Sequence, residues 1–454
     1  MNLIFDVNDK PKFGQLIVLA IQELLAIMAA TLVVPIIING ITGSEMSPAA
    51  ALFGAGVGTL VYVFFTQKKS PVFLGSSFAF LGSMPVAFAG AATMALGYLG
   101  LILGAIFAGL VYVVIALIVK FVGVGWINKL MPAVVIGPTV SIIGLSLAGN
   151  AVGDLKTAPA GGDSRLAILC GLVTLIVTML CSTFGKKGLK LIPFIIGILA
   201  GYIVAALFTL IGSVSGNDAL LISNFGPITA LFSDGIKLSS FVALPKFTFI
   251  EALGGFSELN GAYIGSVAVA YIPVAFVVFA EHIADHKNIS SIIGKDLLED
   301  PGLSRTLLGD GIGSMAGAFF GGCPNTTYGE AVACVAITRN ASVATTITAA
   351  VGAILISFLS PFVAFVNSIP ACCMGGVCIA LYGFIAVSGL KMIQQIDLGE
   401  NKNLFVVSSI LIAGIGGLSL SFGKVTITSI ACALILGIVV NLILSCKCKN
   451  ADSE

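Results

Sequence analysis

The chain has 454 residues, of which 58% are hydrophobic and only 9% are charged, and its mean hydropathy is +1.11. A soluble domain carries about 25% charged residues, so this composition excludes an ordinary soluble protein. The 22 basic and 21 acidic residues leave a net charge of +1, which excludes a basic surface for nucleic acid. The ten cysteines show no C-x-x-C spacing and only two histidines accompany them, so neither a metal site, a cofactor nor a disulfide framework is expected.

Hydropathy divides the chain into membrane-spanning segments. A bilayer core of about 30 Å needs about 20 apolar residues per helix. The sequence therefore predicts an all-α polytopic membrane protein with fourteen segments, near 14–37, 48–66, 71–90, 94–119, 130–149, 166–184, 191–212, 262–284, 304–321, 326–338, 342–366, 370–390, 404–421 and 425–445. If both termini are cytoplasmic, the inner connections hold 17 basic residues and the outer ones hold 5, which favours this orientation. The long polar connection 213–261 is then an external loop.

The two halves of the chain contain a repeated motif. Residues 54–65 read GAGVGTLVYVFF and residues 309–320 read GDGIGSMAGAFF, with five identities at an offset of 255. The triplets SSF (76–78) and TTY (326–328) repeat at an offset of 250. Seven segments per copy is an odd number, so the copies must have opposite orientations in the membrane, as in many secondary transporters. The alternative is ordinary small-residue packing by the glycines of these motifs: Gly54, Gly58, Gly313 and Gly317.

Glycines and prolines interrupt the third and tenth segments. The third contains PVFLGSSFAFLGSMP (71–85) and the tenth contains GGCPNTTYGEAVA (321–333). Unwound backbone at membrane depth is tolerated only where protein or a water-filled cavity satisfies it, so paired breaks predict a central binding site. We expect short β-strands there, with half-helices that start near Phe78 and Gly329 and direct free N–H groups at the site.

Carboxylates inside the predicted segments are the candidate functional groups. Insertion of a charged carboxylate at mid-bilayer costs roughly 2.5–3.5 kcal/mol of free energy, so each such residue is a candidate for a functional role. Glu281 and Asp285 lie one turn apart on one helix face, where burial and mutual repulsion favour a bound proton. Glu330 follows the break in the tenth segment, Asp310 lies in the ninth and Glu23 in the first. The alternatives are buried structural hydrogen bonds and, for Asp285, a solvated position at the cytoplasmic mouth.

The chemistry of this set indicates the kind of solute. Carboxylates accept N–H donors and helix N-termini donate to carbonyl groups, while Phe78 and Tyr328 could stack against a flat ligand. No Lys or Arg is expected beside this set in the site, which disfavours an anion. A small planar molecule with alternating N–H and C=O groups, such as a nucleobase, is the complement. His282 and His286 flank the acidic turn, and a packed, hydrogen-bonded role is the alternative for each.

At these residues the sequence resembles the nucleobase:cation symporter-2 family nearly end to end. PNTTYGE is the most specific of the motifs that carry the resemblance, which are LGSSFAF (74–80), AEH (280–282), KDLLEDPGL (295–303), PNTTYGE (324–330), AITR (336–339), MGGV (374–377) and LYG (381–383). The resemblance implies two inverted seven-segment repeats and a homodimer. It further implies a core domain from 1–121 and 247–367, and a gate domain from 122–246 and 368–454.

The resemblance is closest to the bacterial uracil carriers of that family, and it implies uracil import across the cytoplasmic membrane by proton symport and alternating access. Glu281 and Glu330 would hydrogen-bond the base, Phe78 and Gly329 would offer backbone groups, and Tyr328 and Tyr382 would line the pocket. Glu281, Asp285, His282 and Asp310 are the candidates for proton coupling. The sequence alone leaves proton and sodium coupling open, because carboxylates and carbonyls serve both ions.

Departures from the family pattern and rival functions complete the expectations. Glu23 and Asp285 stand where the family pattern has histidines, and Ala331 and Ala333 replace an Asn and a Gly; a Gln is usual at position 330 in purine carriers. The nearest rival is therefore a xanthine, guanine or broader nucleobase carrier. An anion exchanger or channel of the same architecture requires a basic residue near the half-helix ends, but Arg339 is predicted at the cytoplasmic edge. An intramembrane hydrolase would have only His282 beside Glu281, so an enzyme is not predicted.

Overall fold

The computed structural model describes residues 3–123, 126, 132–159, 161–186, 189–233, 235–422 and 425–451. Three lysines of the orientation argument, Lys129, Lys187 and Lys424, lie outside this part, as does residue 130, the predicted start of the fifth segment. The helices of the first half are α1 (Phe13–Thr42), α2 (Pro48–Phe65), α3 (Met84–Ala89), α4 (Met94–Val122), α5 (Ala133–Ser146), α6 (Ala148–Lys156), α7 (Ser164–Phe184), α8 (Pro193–Ser215), α9 (Gly226–Ala230) and α10 (Thr248–Glu251).

The second half continues with helices and carries one of the two strands that meet at the centre. Its helices are α11 (Gly261–Ile293), α12 (Leu303–Gly321), α13 (Gly329–Thr338), α14 (Val343–Ile356), α15 (Ser360–Ser368), α16 (Ala371–Ile393), α17 (Asn401–Ile415) and α18 (Ser429–Ala451). The strands are β1 (Leu74–Ser76), β2 (Asn325–Thr327), β3 (Leu420–Phe422) and β4 (Val425–Ile427).

Helix length and composition are those of a multi-pass membrane protein. Within the described residues, eight helical stretches are long and apolar enough to cross a bilayer: α1, α2, α4, the consecutive pair α5 and α6, α7, α8, α11 and α16. Five shorter apolar stretches accompany them, at Phe78–Ala89, α13, α14, α17 and Ser429–Ser445. Helices α7 and α8 expose large apolar side chains such as Ile176, Leu180, Ile203 and Leu207. Such a surface suits lipid and is unfavourable in water.

Two predicted segments differ from the structure inside their bounds. The predicted segment 342–366 is two helices, because α14 ends at Ile356 and α15 begins at Ser360, with Pro361 in its first turn. A proline is tolerated in a first turn, where its missing N–H needs no partner, but it interrupts a helix interior. The predicted external loop 213–261 contains two short helices, α9 and α10. Between them, Ala243 N donates at 3.0 Å to Phe358 O, which lies in the break between α14 and α15. This connection is therefore ordered against the start of α15.

Helices α2 and α12 pack tightly through the glycines of the repeated motif. A Cβ added at Gly58 would lie 2.7 Å from the carbonyl oxygen of Gly313, and one added at Gly313 would lie 2.7 Å from that of Gly58. Residue numbers rise on one helix as they fall on the other, so the helices are antiparallel. Three of the close pairs are Gly54 with Gly317, Gly58 with Gly313 and Tyr62 with Gly309. When 255 is added to the α2 residue number of a pair and subtracted from the α12 residue number, the first pair becomes the third and the second pair becomes itself.

The interrupted segments meet through a short antiparallel ladder. Strand β1 pairs with β2 so that Leu74 faces Thr327 and Ser76 faces Asn325, and Ser77 N donates to Pro324 O at 2.9 Å. A 3-10 helix, Phe78–Gly82, and then α3 follow β1, while α13 follows β2. Short strands and half-helices were expected in the third and tenth segments, and the structure has both elements there.

The remaining packing divides the helices into two groups. Helices α1, α2, α4, α11, α12 and α14 pack on one another around the strands. In the second group, α16 packs on α5 and α7, and α7 packs on α8. Helices α17 and α18 pack on α5. The groups touch where α1 meets α8 and where α11 meets α5 and α18. The interrupted segments therefore lie in the first group, with their strand ladder among its helices.

Candidate functional site

Helix α11 carries the first part of the candidate site. It starts at Gly261 with Asn260 as its cap, whose side chain accepts from Tyr263 N at 2.9 Å. Glu281 lies two-thirds of the way along this helix and is half-buried. Its carboxylate has no hydrogen-bond partner among the described residues, although a paired acid is the usual arrangement inside a protein. Glu281 is therefore free to accept hydrogen bonds from a ligand.

Asp285 lies one turn after Glu281 and connects α11 to strand β2. Its side chain is buried, and Thr327 Oγ1 donates to its Oδ2 at 2.8 Å. A Cβ added at Gly329 would lie 3.9 Å from Asp285 Oδ1, so the start of α13 is close. The solvated position considered for Asp285 is therefore wrong. Thr327 was not a candidate, although its match to Ser77 in the repeat could have drawn attention to it.

The start of α13 supplies the second part of the site. The helix begins at Gly329 after Tyr328, whose side chain does not cap it. Gly329 is exposed, and Glu330 in the first turn is half-buried. Its carboxylate contacts its own backbone N–H and accepts no hydrogen bond from another residue in the described part of the chain. The free N–H groups of a first turn are a binding site for carbonyl oxygens or anions. A carboxylate beside them provides an acceptor next to these donors.

Phe78 and Tyr382 bring the two helix groups into contact. Phe78 begins the 3-10 helix after β1 and is buried. Its ring lies 5.8 Å from that of Tyr382 on α16, at an interplanar angle of 78°. Two of the three predicted aromatic residues therefore meet at the boundary between the groups.

Tyr328 is placed differently from the stacking role considered for it. Its ring packs on Gly75, and its hydroxyl donates to Ser76 O at 2.8 Å. Thr31 on α1 approaches the same hydroxyl at 3.5 Å. Tyr328 thus supports the crossing of the two strands, and its hydroxyl is already engaged.

His282 and Asp310 form a closed pair. His282 Nδ1 lies 2.7 Å from Asp310 Oδ2, and Nε2 lies 3.0 Å from Thr306 Oγ1. Both side chains are fully buried. Because both ring nitrogens contact α12, His282 faces away from the free carboxylates. The sequence named both residues but did not indicate that they contact one another.

His286 and Glu23 have packed, hydrogen-bonded positions. A carbonyl can only accept, so His286 Nδ1 donates to His282 O, at 2.7 Å, and Nε2 then accepts from Tyr62, whose hydroxyl is 2.6 Å away. Glu23 on α1 accepts from Thr346 Oγ1 on α14 at 3.0 Å. These contacts favour the structural alternative for His286 and give Glu23 a bonded partner between two helices.

The electrostatics of the site are those of clustered acids. Glu281 interacts electrostatically with Asp285, Glu330 and Asp310. Arg339 caps the opposite end of α13 from Glu330, a helix of ten residues and thus roughly 15 Å long. The basic residue that an anion site would need is therefore not supplied by Arg339. Among the described residues, no group of three His, Cys, Asp or Glu could hold a metal ion.

Comparison with known proteins gives consistent relatives. Residues 14–422 match the model of a permease family that covers xanthine and uracil carriers. The uracil permease of Bacillus caldolyticus is 38% identical over 99% of this chain and 96% of its own length. The uracil permeases of Bacillus subtilis (strain 168) and Escherichia coli (strain K12) are 35% and 34% identical, over 99% and 96% of this chain and 97% and 93% of their own lengths.

Solved structures share the fold at low identity. The transmembrane domain of a cyanobacterium bicarbonate transporter, BicA, matches with a TM-score of 0.61 at 14% identity, over 96% of this chain and all of that chain. SLC26A9 matches with a TM-score of 0.60 at 11% identity, over 96% of this chain and 66% of that one. At these identities the similarity establishes the fold and gives no information about the substrate.

Proposed function

We propose a substrate and a coupling ion for this chain, which belongs to the nucleobase:cation symporter-2 family of permeases and is therefore a transporter and not an enzyme. The substrate is uracil, imported across the cytoplasmic membrane by proton symport. Relatives that carry the name uracil permease align over nearly the whole chain, which supports this substrate. Both termini are cytoplasmic in this proposal, and the protein forms homodimers.

The observation that carries the substrate proposal is a pair of half-buried carboxylates, each of which accepts no hydrogen bond from any other residue in the described part of the chain. Glu281 and Glu330 accept hydrogen bonds, and the first turn of α13 at Gly329 donates them. Uracil has two N–H donors and two carbonyl acceptors on one flat ring, which complements this arrangement. Phe78 and Tyr382 supply aromatic surface beside the same elements. Uracil has about eight non-hydrogen atoms, and at about 1 kcal/mol per atom micromolar binding is attainable.

The clustered acids support proton coupling. Glu281, Asp285, Glu330 and Asp310 interact electrostatically, and four neighbouring negative charges away from water would repel strongly. One proton shared by Glu281 and Asp285 relieves that repulsion when substrate enters. A hydrogen atom also lies in the 2.7 Å contact of Asp310 with His282, because two unprotonated acceptors would not approach so closely, and the N–H of a neutral imidazole supplies it. Sodium coupling is the competing outcome of the test below.

The architecture proposed is fourteen segments in two inverted repeats, with a core domain that moves against a gate domain. The exchange of contacts between α2 and α12 under the offset of 255 supports inverted copies that meet at a local two-fold axis. The two helix groups support the division into a core (1–121 and 247–367) and a gate (122–246 and 368–454). Phe78 and Tyr382 then face each other across the moving boundary, which suits alternating access.

Uptake of radiolabelled uracil into proteoliposomes tests this proposal. We expect an inward proton gradient to drive uptake without sodium, and unlabelled uracil to block it more strongly than xanthine. Sodium-driven uptake would overturn proton coupling alone. Uptake of xanthine without uptake of uracil would overturn the substrate while leaving the family unchanged. Inhibition by bicarbonate in place of nucleobases would indicate an anion carrier.

A further inference from the structure

A small cavity lies between α4, α12 and strand β2, and it has room for about one water-sized particle. Among its lining residues, three polar atoms are buried without a hydrogen-bond partner in the described part of the chain: Asp310 Oδ1, Asn325 Oδ1 and the Tyr112 hydroxyl. Buried polar groups nearly always have partners, because leaving one unpaired is unfavourable. Three such atoms around one cavity therefore indicate a bound species.

The bonds made by the other atoms of these side chains fix what the cavity offers. Asn325 Nδ2 donates to Gly54 O at 3.1 Å, which leaves its Oδ1 as an acceptor. Asp310 uses Oδ2 for His282, at 2.7 Å, which leaves Oδ1 as a second acceptor. The Tyr112 hydroxyl supplies a donor. These three atoms thus present two acceptors and one donor to the cavity.

We propose that this cavity binds one water molecule, which donates to Asp310 and Asn325 and accepts from Tyr112. Three hydrogen bonds are the usual number for a buried water, and each atom then has a partner. Hard cations such as Mg²⁺ and Ca²⁺ take six or more oxygen ligands, whereas these three atoms and the hydroxyls of Ser314 and Thr326, which also line the cavity, make at most five side-chain oxygens. The water joins α4 and α12 to β2, and through Asp310 and His282 it also joins them to α11.

The water makes Tyr112 a positioning residue for the substrate site. Asn325 begins β2, and the same strand ends at Thr327, two residues before Gly329. Thr327 donates a hydrogen bond to Asp285. A shift of Asn325 would therefore displace the start of α13 and Glu330. This step rests on the proposed uracil site, whereas the presence of the water does not.

A high-resolution crystal structure of the full chain tests the water directly. We expect one density peak at about 2.7–3.2 Å from all three atoms in the wild type, and its weakening or loss in Tyr112→Phe. The matched control is Tyr271→Phe, since the Tyr271 hydroxyl is also buried and unpartnered but does not line the cavity; its peak should persist. Absence of the peak in the wild type overturns the proposal. A sodium ion in the cavity would also overturn it. That outcome would appear as an unfolding temperature that sodium chloride raises and choline chloride does not, with the rise lost in Tyr112→Phe.

Uracil uptake tests the positioning role separately. We expect Tyr112→Phe to raise the half-saturating uracil concentration several-fold while the maximal rate stays near that of Tyr271→Phe. Equal half-saturating concentrations in the two variants would overturn the positioning role. Failure of the wild type to transport uracil would overturn the proposed function, and the crystallographic test of the water would be unaffected.

Discussion

Glu281 and His282 are neighbours on α11, yet their side chains lie in opposite surroundings. Glu281 is half-buried with a free carboxylate, whereas His282 is fully buried and both of its ring nitrogens are bonded to α12. An unpaired charge inside a membrane protein is unfavourable in free energy, and it is retained where a ligand supplies the missing hydrogen-bond partner. Paired buried groups instead hold helices together. The difference teaches that partner count, more than residue type, separates ligand-binding from positioning groups here.

The largest expected effect is on transport by Glu281→Gln. A hydrogen bond to a charged group contributes about 1.5–3 kcal/mol, so affinity for uracil should fall roughly 10- to 150-fold. Proteoliposome uptake at varied uracil concentration and pH measures this. Glu45→Gln is the control, because Glu45 is exposed and paired with Lys246 at 3.1 Å. Normal uptake by Glu281→Gln with unchanged pH dependence would show that the free carboxylate does not bind the base.

The same comparison predicts opposite effects on stability. Asp310→Ala leaves His282 Nδ1 buried without a partner, and an unpaired buried polar group costs about 1–3 kcal/mol. Glu281→Gln removes an unpaired charge and should leave the free energy of unfolding unchanged or slightly higher. Denaturation of both variants in the same detergent, with secondary structure as the readout, compares them. Equal destabilisation of the two variants would remove the distinction between paired and free acids.

Glu330→Gln should change selectivity more than stability. The glutamine amide keeps an acceptor and adds an N–H donor, which suits a base that presents a carbonyl where uracil presents an N–H group. We expect competition by xanthine relative to uracil to rise by about tenfold, equivalent to about 1.4 kcal/mol. Inhibition curves with the two unlabelled bases measure the shift. An unchanged ratio would mean that Glu330 does not contact the base.

The smallest effect is expected where a pair is exposed. Lys295 Nζ donates to Asp6 Oδ2 at 2.7 Å, and this hydrogen bond holds the pKa of Asp6 below its usual value. The stabilisation is present above the unfolded pKa of about 3.9 and is lost as the pH falls through the lowered value. Asp6→Asn should therefore cost under about 1 kcal/mol at neutral pH, and less at high salt. A loss comparable to that of Asp310→Ala would contradict the dependence on burial.

Local patterns in the sequence predicted the backbone of the site. The offset between SSF and TTY placed the two strands, and the glycines and prolines around them placed the helix starts at Phe78 and Gly329. These predictions succeeded because turn and helix-start preferences are local. The break between α14 and α15 was missed, although Pro361 is a local signal for it.

Long-range pairing could not be predicted from the sequence. The contacts of His282 with Asp310 and of Thr327 with Asp285 join residues 28 and 42 positions apart. Which of several buried acids receives a partner depends on how α11, α12 and β2 pack, and one sequence does not specify that packing. The sequence therefore identified Glu281, Asp285 and Asp310 as a set without separating the free acid from the bonded ones.

Equilibrium binding of methylated uracils to the purified protein tests the central claim most directly. If free carboxylates accept the N–H groups of the ring, a methyl group at N1 or at N3 removes one donor and leaves an acid buried against it. We predict that each methylated base binds at least about tenfold more weakly than uracil. Binding of 1-methyluracil and 3-methyluracil as tight as that of uracil would contradict recognition by Glu281 and Glu330.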